Sequence, residues 1–264
     1  MPHDEHSGDG NRMPAERTTK PTDSEAARRR AAAPRMAGAS VHASLASEIG
    51  QRIVRGDYPP GTILPNEVKW SETFEVSRSA VREAIKMLAA KSLLVSRPKV
   101  GSWVEPKERW NLLDRDVLGW YAASPDQEKF LRTVQEFRRI IEPEAAALAA
   151  RRRRAPQMAA ISEACAELSR ASSIQERTLA DTRFHLAILR ASGNDLLNPL
   201  GVMIESALNH LFSFVSGAMQ DHGRSQFLHE EIERSIRLRR PKAARQAVHL
   251  LLACNDEAID KSRK

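Results

Sequence analysis

A disulfide framework is excluded first. The chain has 264 residues and two cysteines, Cys165 and Cys254, which stand far apart and outside any paired spacing. That argues against disulfides and against a cysteine zinc site, and both thiols read as plain core residues. No apolar run approaches the length that spans a membrane, and no secretory signal opens the chain, so it reads as soluble and cytoplasmic with no membrane partner. Nor is one sign of charge in gross excess. Lys and Arg number 41 against 34 Asp and Glu, a net charge of +7 that suits a polyanion partner. Residues 41–105, however, hold nine basic against seven acidic side chains, so any such contact must come from a local cluster. The first forty residues lack almost every aliphatic side chain larger than alanine and cannot bury enough surface to order themselves. Residues 1–40 are therefore expected to be a disordered tail, with Arg28, Arg29 and Arg30 as a solvated basic patch.

The local cluster lies between Ser77 and Lys91. Ala80, Val81, Ala84, Ile85, Leu88 and Ala89 recur at three- and four-residue steps, the period of a helix that buries one stripe. Arg78, Arg82 and Lys86 follow one another at four-residue steps on the other side, with Ser79 beside Arg78 in the first turn. From Val76 to Lys99 there are six basic residues against one acid, Glu83. Ser77 is a good N-cap, and a helix start with Arg and short polar side chains has the chemistry that phosphates and base edges in a major groove require. Upstream, Asn66 to Phe74 reads as a shorter helix closed by the turn Glu75-Val76-Ser77, and Leu45, Ile49 and Ile53 mark a first helix ended by Gly56. Downstream, Leu93 to Val95 and Ser102 to Val104 read as two strands joined by a basic turn through Lys99 and Gly101.

This run resembles the winged helix-turn-helix of GntR-type bacterial transcription regulators. The matching positions are Gly56, Pro60-Gly61, Leu64-Pro65 with Glu67, Val76-Ser77-Arg78, Val81 to Ala84, Leu88, Leu93 and Gly101. The resemblance implies that Arg78, Ser79 and Arg82, joined by Lys86 on the same face, touch operator double-stranded DNA, and that the turn from Lys99 to Gly101 reaches the minor groove. One departure stands at Val68, where family members often carry Arg, so one contact is missing.

Beyond residue 105, Trp110 to Tyr121 reads as a short linker helix, and Ser124-Pro125-Asp126 as a break. Residues 126–262 show no strand-period alternation. Amphipathic segments near 127–151, 156–171, 174–192, 194–217, 225–238 and 241–260 predict an all-α antiparallel bundle, with a kink at Pro143. The fold expected is thus mainly α: a tail (1–40), a winged helix-turn-helix with a small β-wing (41–105), a linker helix (106–125) and a helical bundle (126–262). The run Arg151 to Arg154 is read as cations at a helix C-terminus.

Within the bundle, Asp181 and His185 are four apart and share a helix face crowded by Phe184, Leu186, Ile188 and Leu189. A carboxylate there needs compensation. Either it forms a hydrogen bond to His185 in a packed core, or it binds a divalent cation with His229 and His249 reaching across the bundle. By spacing alone, Arg138 reads as one half of a surface ion pair with Glu142, one turn on. An enzymatic reading, a metal-dependent hydrolase or lyase acting on a small hydroxy acid, would use the same Asp181, His185 and His229, but no clear general base accompanies them.

The segments DTRFHLAILRASGNDLL from Asp181 and EFRRIIEPEAAALAA from Glu136 resemble the FCD effector domain of the FadR-like branch of GntR regulators. The resemblance implies a homodimer, usually a repressor released by effector, with a metal ion, often zinc, held by one Asp and three His. Asp181, His185 and His229 match the first three ligands. The fourth position falls on Leu251, two residues after His249 and some 200° around the helix from it. It also implies that Arg138 contacts a small carboxylate effector, with Asn209 and His210 facing the pocket. The linker WNLLDRDVLGW is similar to a subgroup that answers to sugar acids such as galactonate.

Overall fold

We describe residues 40–97, 100–215 and 222–261 of a computed structural model, without the side chains of residues 212–215 and 222. Residues 1–39 of the expected tail and Lys99 lie outside the described residues. The elements run α1 (Val41–Arg55), α2 (Glu67–Thr73), α3 (Arg78–Ala90), β1 (Leu94–Arg97), β2 (Gly101–Val104), α4 (Arg115–Ala122), α5 (Gln127–Arg152), α6 (Ala155–Arg170), α7 (Ile174–Ala191), α8 (Gly201–Val215), α9 (His222–Arg237) and α10 (Pro241–Lys261). This is a mainly helical chain with a winged helix-turn-helix at its N-terminal side and a helical bundle after it.

In the head, Leu45, Ile49 and Ile53 of α1 bury against Val81, Ala84, Ile85 and Leu88 of α3, and Trp70 of α2 seals the same core. Asn66 caps α2 by accepting from the Lys69 amide, and Ser77 caps α3 by accepting from the Ala80 amide. The turn between them passes through Glu75 at φ 53°, a left-handed conformation that a non-glycine residue adopts at some cost. β1 and β2 pair antiparallel from Leu94 opposite Val104 to Arg97 opposite Gly101, and Gly101, at φ 116°, supplies a conformation open to glycine.

The linker helix differs from expectation. Trp110 to Asp114 are not helical, and α4 starts at Arg115 because Asp114 caps it, accepting from the amides of Asp116 and Val117. Lys91, just past α3, holds both Asp114 oxygens at 2.8 Å and Asp116 at 2.8 Å, which ties that cap to the head. Trp120 of α4 packs against Gly50 of α1, where an added Cβ would sit 2.2 Å from the ring.

In the bundle, α5 packs along α10 and against α7 through Ala145, Ala146, Ala149 and Ala150, small side chains that let the helices approach closely. Pro143 is buried inside α5, which continues through it to Arg152. The segment expected as one helix from 194 starts later: a 3-10 turn at Asp195–Leu197 and Pro199 precede α8 at Gly201. Arginines at the ends of α5 and α9 bind helix-end carbonyls across the bundle. Arg153 donates to the carbonyls of Ile236 and Arg237 at the end of α9, Arg239 donates to those of Arg151 and Arg153, and Arg152 to that of Ser192.

Candidate nucleic-acid interface and metal centre

Helix α3 turns its apolar stripe inward and leaves Arg78, Ser79, Arg82 and Lys86 exposed along one side. The positive charges are not all free. Arg82 donates from Nε and an Nη to the two carboxylate oxygens of Glu67 at 3.3 and 3.1 Å, across the turn between α2 and α3. That bonding raises the Arg82 guanidinium and lowers the Glu67 carboxyl from their ordinary values. Lys86 is 2.8 Å from Glu83, and Ser79 shares a hydrogen bond with the capping Ser77 at 3.0 Å. At the wing, Arg97 lies over the Trp103 ring, 5.1 Å from its centroid, and Gly101 is exposed.

In the bundle, α7 presents Asp181 and His185 inward, and α9 brings His229 to them. His229 Nε2 is 2.8 Å from Asp181 Oδ1 and His185 Nε2 is 3.3 Å from the same oxygen. One ligand atom from each of the three residues lies within 4.8 Å of the other two. All three residues are buried, and Phe184 packs edge-on to both imidazoles at 5.6 and 5.2 Å.

The outer nitrogens define the tautomers. His229 Nδ1 donates to the Ser225 carbonyl at 2.8 Å, and His185 Nδ1 donates to Glu142 Oε2 at 2.8 Å. Each ring therefore turns Nε2 toward Asp181, and His185 Nε2 is a buried atom with no hydrogen-bond partner. Two such nitrogens around one carboxylate oxygen call for positive charge between them, as a proton or as a cation. One oxygen and two imidazole nitrogens form a donor set that suits zinc and related divalent ions, with coordination positions left over. The residues present thus fit a metal ion. Burial by itself would raise the Asp181 carboxyl, but His229 and His185 beside it hold it well below the usual carboxylate range.

Arg138 of α5 is wholly buried. It donates from Nε to Glu142 Oε1 at 2.6 Å and from an Nη to Gln135 Oε1 at 3.0 Å. The pair with Glu142 expected at the surface is therefore an interior one.

Residues 42–104 match the bacterial regulatory proteins of the gntR family, and residues 133–253 match the FCD domain. The galactonate operon transcriptional repressor of Escherichia coli (strain K12) is 31% identical over 213 residues, which is 80% of this chain and 93% of that protein. The chain belongs to the GntR family of transcription regulators. YieP, an uncharacterised HTH-type transcriptional regulator of the same organism, is 36% identical over 178 residues, 65% of this chain and 76% of that one. The solved structure of Lar, which controls expression of the Listeria monocytogenes agr system, covers 86% of this chain and 98% of its own with a TM-score of 0.58 at 17% identity, a likeness of fold.

This GntR regulator has the winged helix-turn-helix and FCD effector domain of the FadR-like branch, and it is a DNA-binding protein, not an enzyme. No helix among its described residues is long and apolar enough to cross a membrane.

The other site expectations separate here. His249 is exposed and is not grouped with Asp181, His185 and His229. Val248, Leu251 and Leu252 take the inward face of α10, and the apolar Leu251 sits where the resemblance called for histidine. Asn209 is exposed on α8, and His210 is half-buried, donating from Nδ1 to the Ser206 carbonyl at 2.8 Å and packing edge-on to Phe130 at 6.3 Å. The residue that sequence reasoning placed elsewhere is Glu142. Its signal was a carboxylate sharing an α5 stripe with Ala145, Ala146 and Ala149, a face that buries.

Proposed function

We propose that this regulator is a homodimeric repressor whose bundle binds a small hydroxylated carboxylate, a sugar acid of the galactonate kind, beside a divalent cation, zinc by its donor set, held by Asp181, His185 and His229. The observation that carries the reading is the convergence of two imidazole Nε2 atoms on Asp181 Oδ1, next to a wholly buried arginine. The galactonate repressor among the relatives supports the choice of ligand class. A cation there supplies a Lewis-acidic anchor for a carboxylate and its neighbouring hydroxyl. Arg138 retains N–H donors beyond those used by Glu142 and Gln135 and takes the remaining negative charge. Gln135 Nε2, Thr182 Oγ1 and Gln226 Oε1, on the helices that carry Arg138, Asp181 and His229 respectively, are buried without hydrogen-bond partners, as a polyhydroxylated ligand would require of its surroundings.

Residues 126–262 serve as the effector-binding and dimerising unit and residues 106–125 as the linker. On the DNA, Arg78, Ser79, Arg82 and Lys86 read the major groove, and Lys99 and Gly101 approach the minor groove. Because the polar cluster is closed over, a ligand has to part the helices around it. Helix α7 packs on α8, α8 on α4, and α4 on α1 of the head. Arg115 of α4 is held to Glu205 of α8 at 2.8 and 2.7 Å, so movement of α8 reaches the linker. The reading is tested by a thermal-shift screen of aldonates and hydroxy acids, with and without chelator, followed by mobility shifts on the DNA upstream of the protein's own gene. A metal-dependent stabilisation by one acid that also releases the DNA is expected. No response to any acid, in a protein that purifies without metal, defeats it.

A further inference from the structure

Two histidines of the cluster are oriented by unlike partners. For His229 the partner is a backbone carbonyl of its own helix, that of Ser225, which is neutral and fixed one turn away. For His185 it is the carboxylate of Glu142 on α5, 2.8 Å from Nδ1. Glu142 is buried, and its second oxygen is not idle. It accepts from Arg138 Nε at 2.6 Å, and the Arg138 guanidinium reaches on to Gln135. A continuous line of contacts therefore runs from Gln135 through Arg138, Glu142 and His185 to Asp181 and His229.

A carboxylate on Nδ1 does two things for an imidazole. It keeps the proton on Nδ1, so that the Nε2 lone pair is free to ligate, and it raises the ring's donor strength. An arginine on the same carboxylate draws its charge the other way. We infer that Glu142 is a positioning residue through which cation capture at His185 and anion capture at Arg138 are coupled. An anion that pulls the guanidinium away returns the carboxylate's full charge to His185 and tightens the grip on the cation. By linkage a bound cation, which draws Glu142 toward His185, loosens Arg138 for the anion. The inference rests on the reading that Asp181, His185 and His229 hold a metal, and it adds the group that ties this metal to the ligand-binding arginine.

The test uses the full chain and metal alone. Zinc affinity is measured by competition with a chromophoric chelator for the wild type, Glu142→Gln, Arg138→Gln and the double variant, and the cobalt(II) spectrum reports the ligand set. Glu142→Gln should keep the stoichiometry and the spectral bands but bind zinc about 10–100-fold more weakly, the usual effect of losing an outer-shell carboxylate. Arg138→Gln should tighten zinc severalfold when Glu142 is present and leave it unchanged in the Glu142→Gln background, a non-additivity that a merely structural role does not produce. Glu142→Asp, which keeps the charge, should recover part of the loss and stands in if the Gln variant does not fold. Zinc affinity of Glu142→Gln within twofold of wild type, or additive effects in the double variant, overturns the inference. Wild type that binds no zinc, like Asp181→Ala, defeats the underlying metal reading and the inference with it, and so differs visibly from an intact metal site that ignores Glu142.

Discussion

Arg82 and Glu67 meet across the turn of the helix-turn-helix, with both carboxylate oxygens of Glu67 engaged by one guanidinium at 3.3 and 3.1 Å. The pair is solvent-exposed, so it adds little to folding, but under the proposed reading it competes with a duplex for the Arg82 charge. Arg82→Ala should weaken operator binding and lower the salt slope by about one unit. Glu67→Gln should do the opposite for non-specific DNA, because Arg82 is then free to meet phosphates. Fluorescence anisotropy across a salt series checks both, and an Arg82→Ala variant that binds as wild type removes α3 from the interface.

Gly50 gives Trp120 its seat. A side chain at position 50 would overlap the indole at 2.2–2.7 Å, and the ring belongs to the helix that links bundle to head. Gly50→Val should destabilise by about 1–3 kcal/mol, the usual cost of overpacking, and should leave DNA binding less responsive to ligand than in the wild type. Calorimetric melting and mobility shifts with and without the identified effector measure the two effects.

Removal of metal should lower the melting temperature by mass action. Free metal at 100 times its Kd stabilises by about 2.7 kcal/mol, so chelation is readily seen. His229→Ala should abolish stoichiometric metal by elemental analysis. His249→Ala should leave it intact, since that side chain is exposed on the far face of α10.

The metal-free protein should show a stability optimum on the acid side of neutrality. Burial by itself would lower the His185 imidazole, but the Glu142 and Asp181 carboxylates raise it from 6.5 to about 9. A raised folded value means that its stabilisation is complete below pH 6.5 and is lost as pH climbs through about 9. Burial by itself would raise the Glu142 carboxyl, but Arg138 and His185 lower it from 4.5 to about 2, so its stabilisation is complete above pH 4.5 and lost as pH falls toward 2. Melting in chelator should therefore peak between about pH 4.5 and 6.5 and decline on both sides. With zinc in place of the proton at His185 Nε2, the alkaline decline should vanish. An alkaline decline that is the same with and without zinc counts against His185 as a ligand.

The head was largely legible before folding was considered. Arg78, Arg82 and Lys86 fall on one face at four-residue steps, while Val81, Ala84, Ile85 and Leu88 mark the opposite one. The linker was read less well. Apolar and aromatic residues from Trp110 onward suggested a helix, whereas Asp114 is a capping residue that Lys91, twenty-three positions earlier, holds in place. In the bundle, Asp181 and His185 were recognisable as a four-residue pair with His229 as a candidate partner from across the bundle, but Glu142, which meets His185 Nδ1, was not. Arg138 and Glu142 share the same spacing whether they face water or the interior, and the one local sign of burial was the alanine stripe of Ala145, Ala146 and Ala149 on the face of Glu142.

The division has one physical cause. Helices, caps and side-chain pairs one turn apart depend on backbone bonds between near neighbours, so they are written within a few residues of the chain. Which faces meet depends on the packing of all the helices at once. Leu251 and Leu252 turn α10 so that His249 points outward, Ala145 and Ala149 bring α5 close to its neighbours, and only then do Glu142, Asp181, His185 and His229 come within hydrogen-bonding or metal-ligating reach.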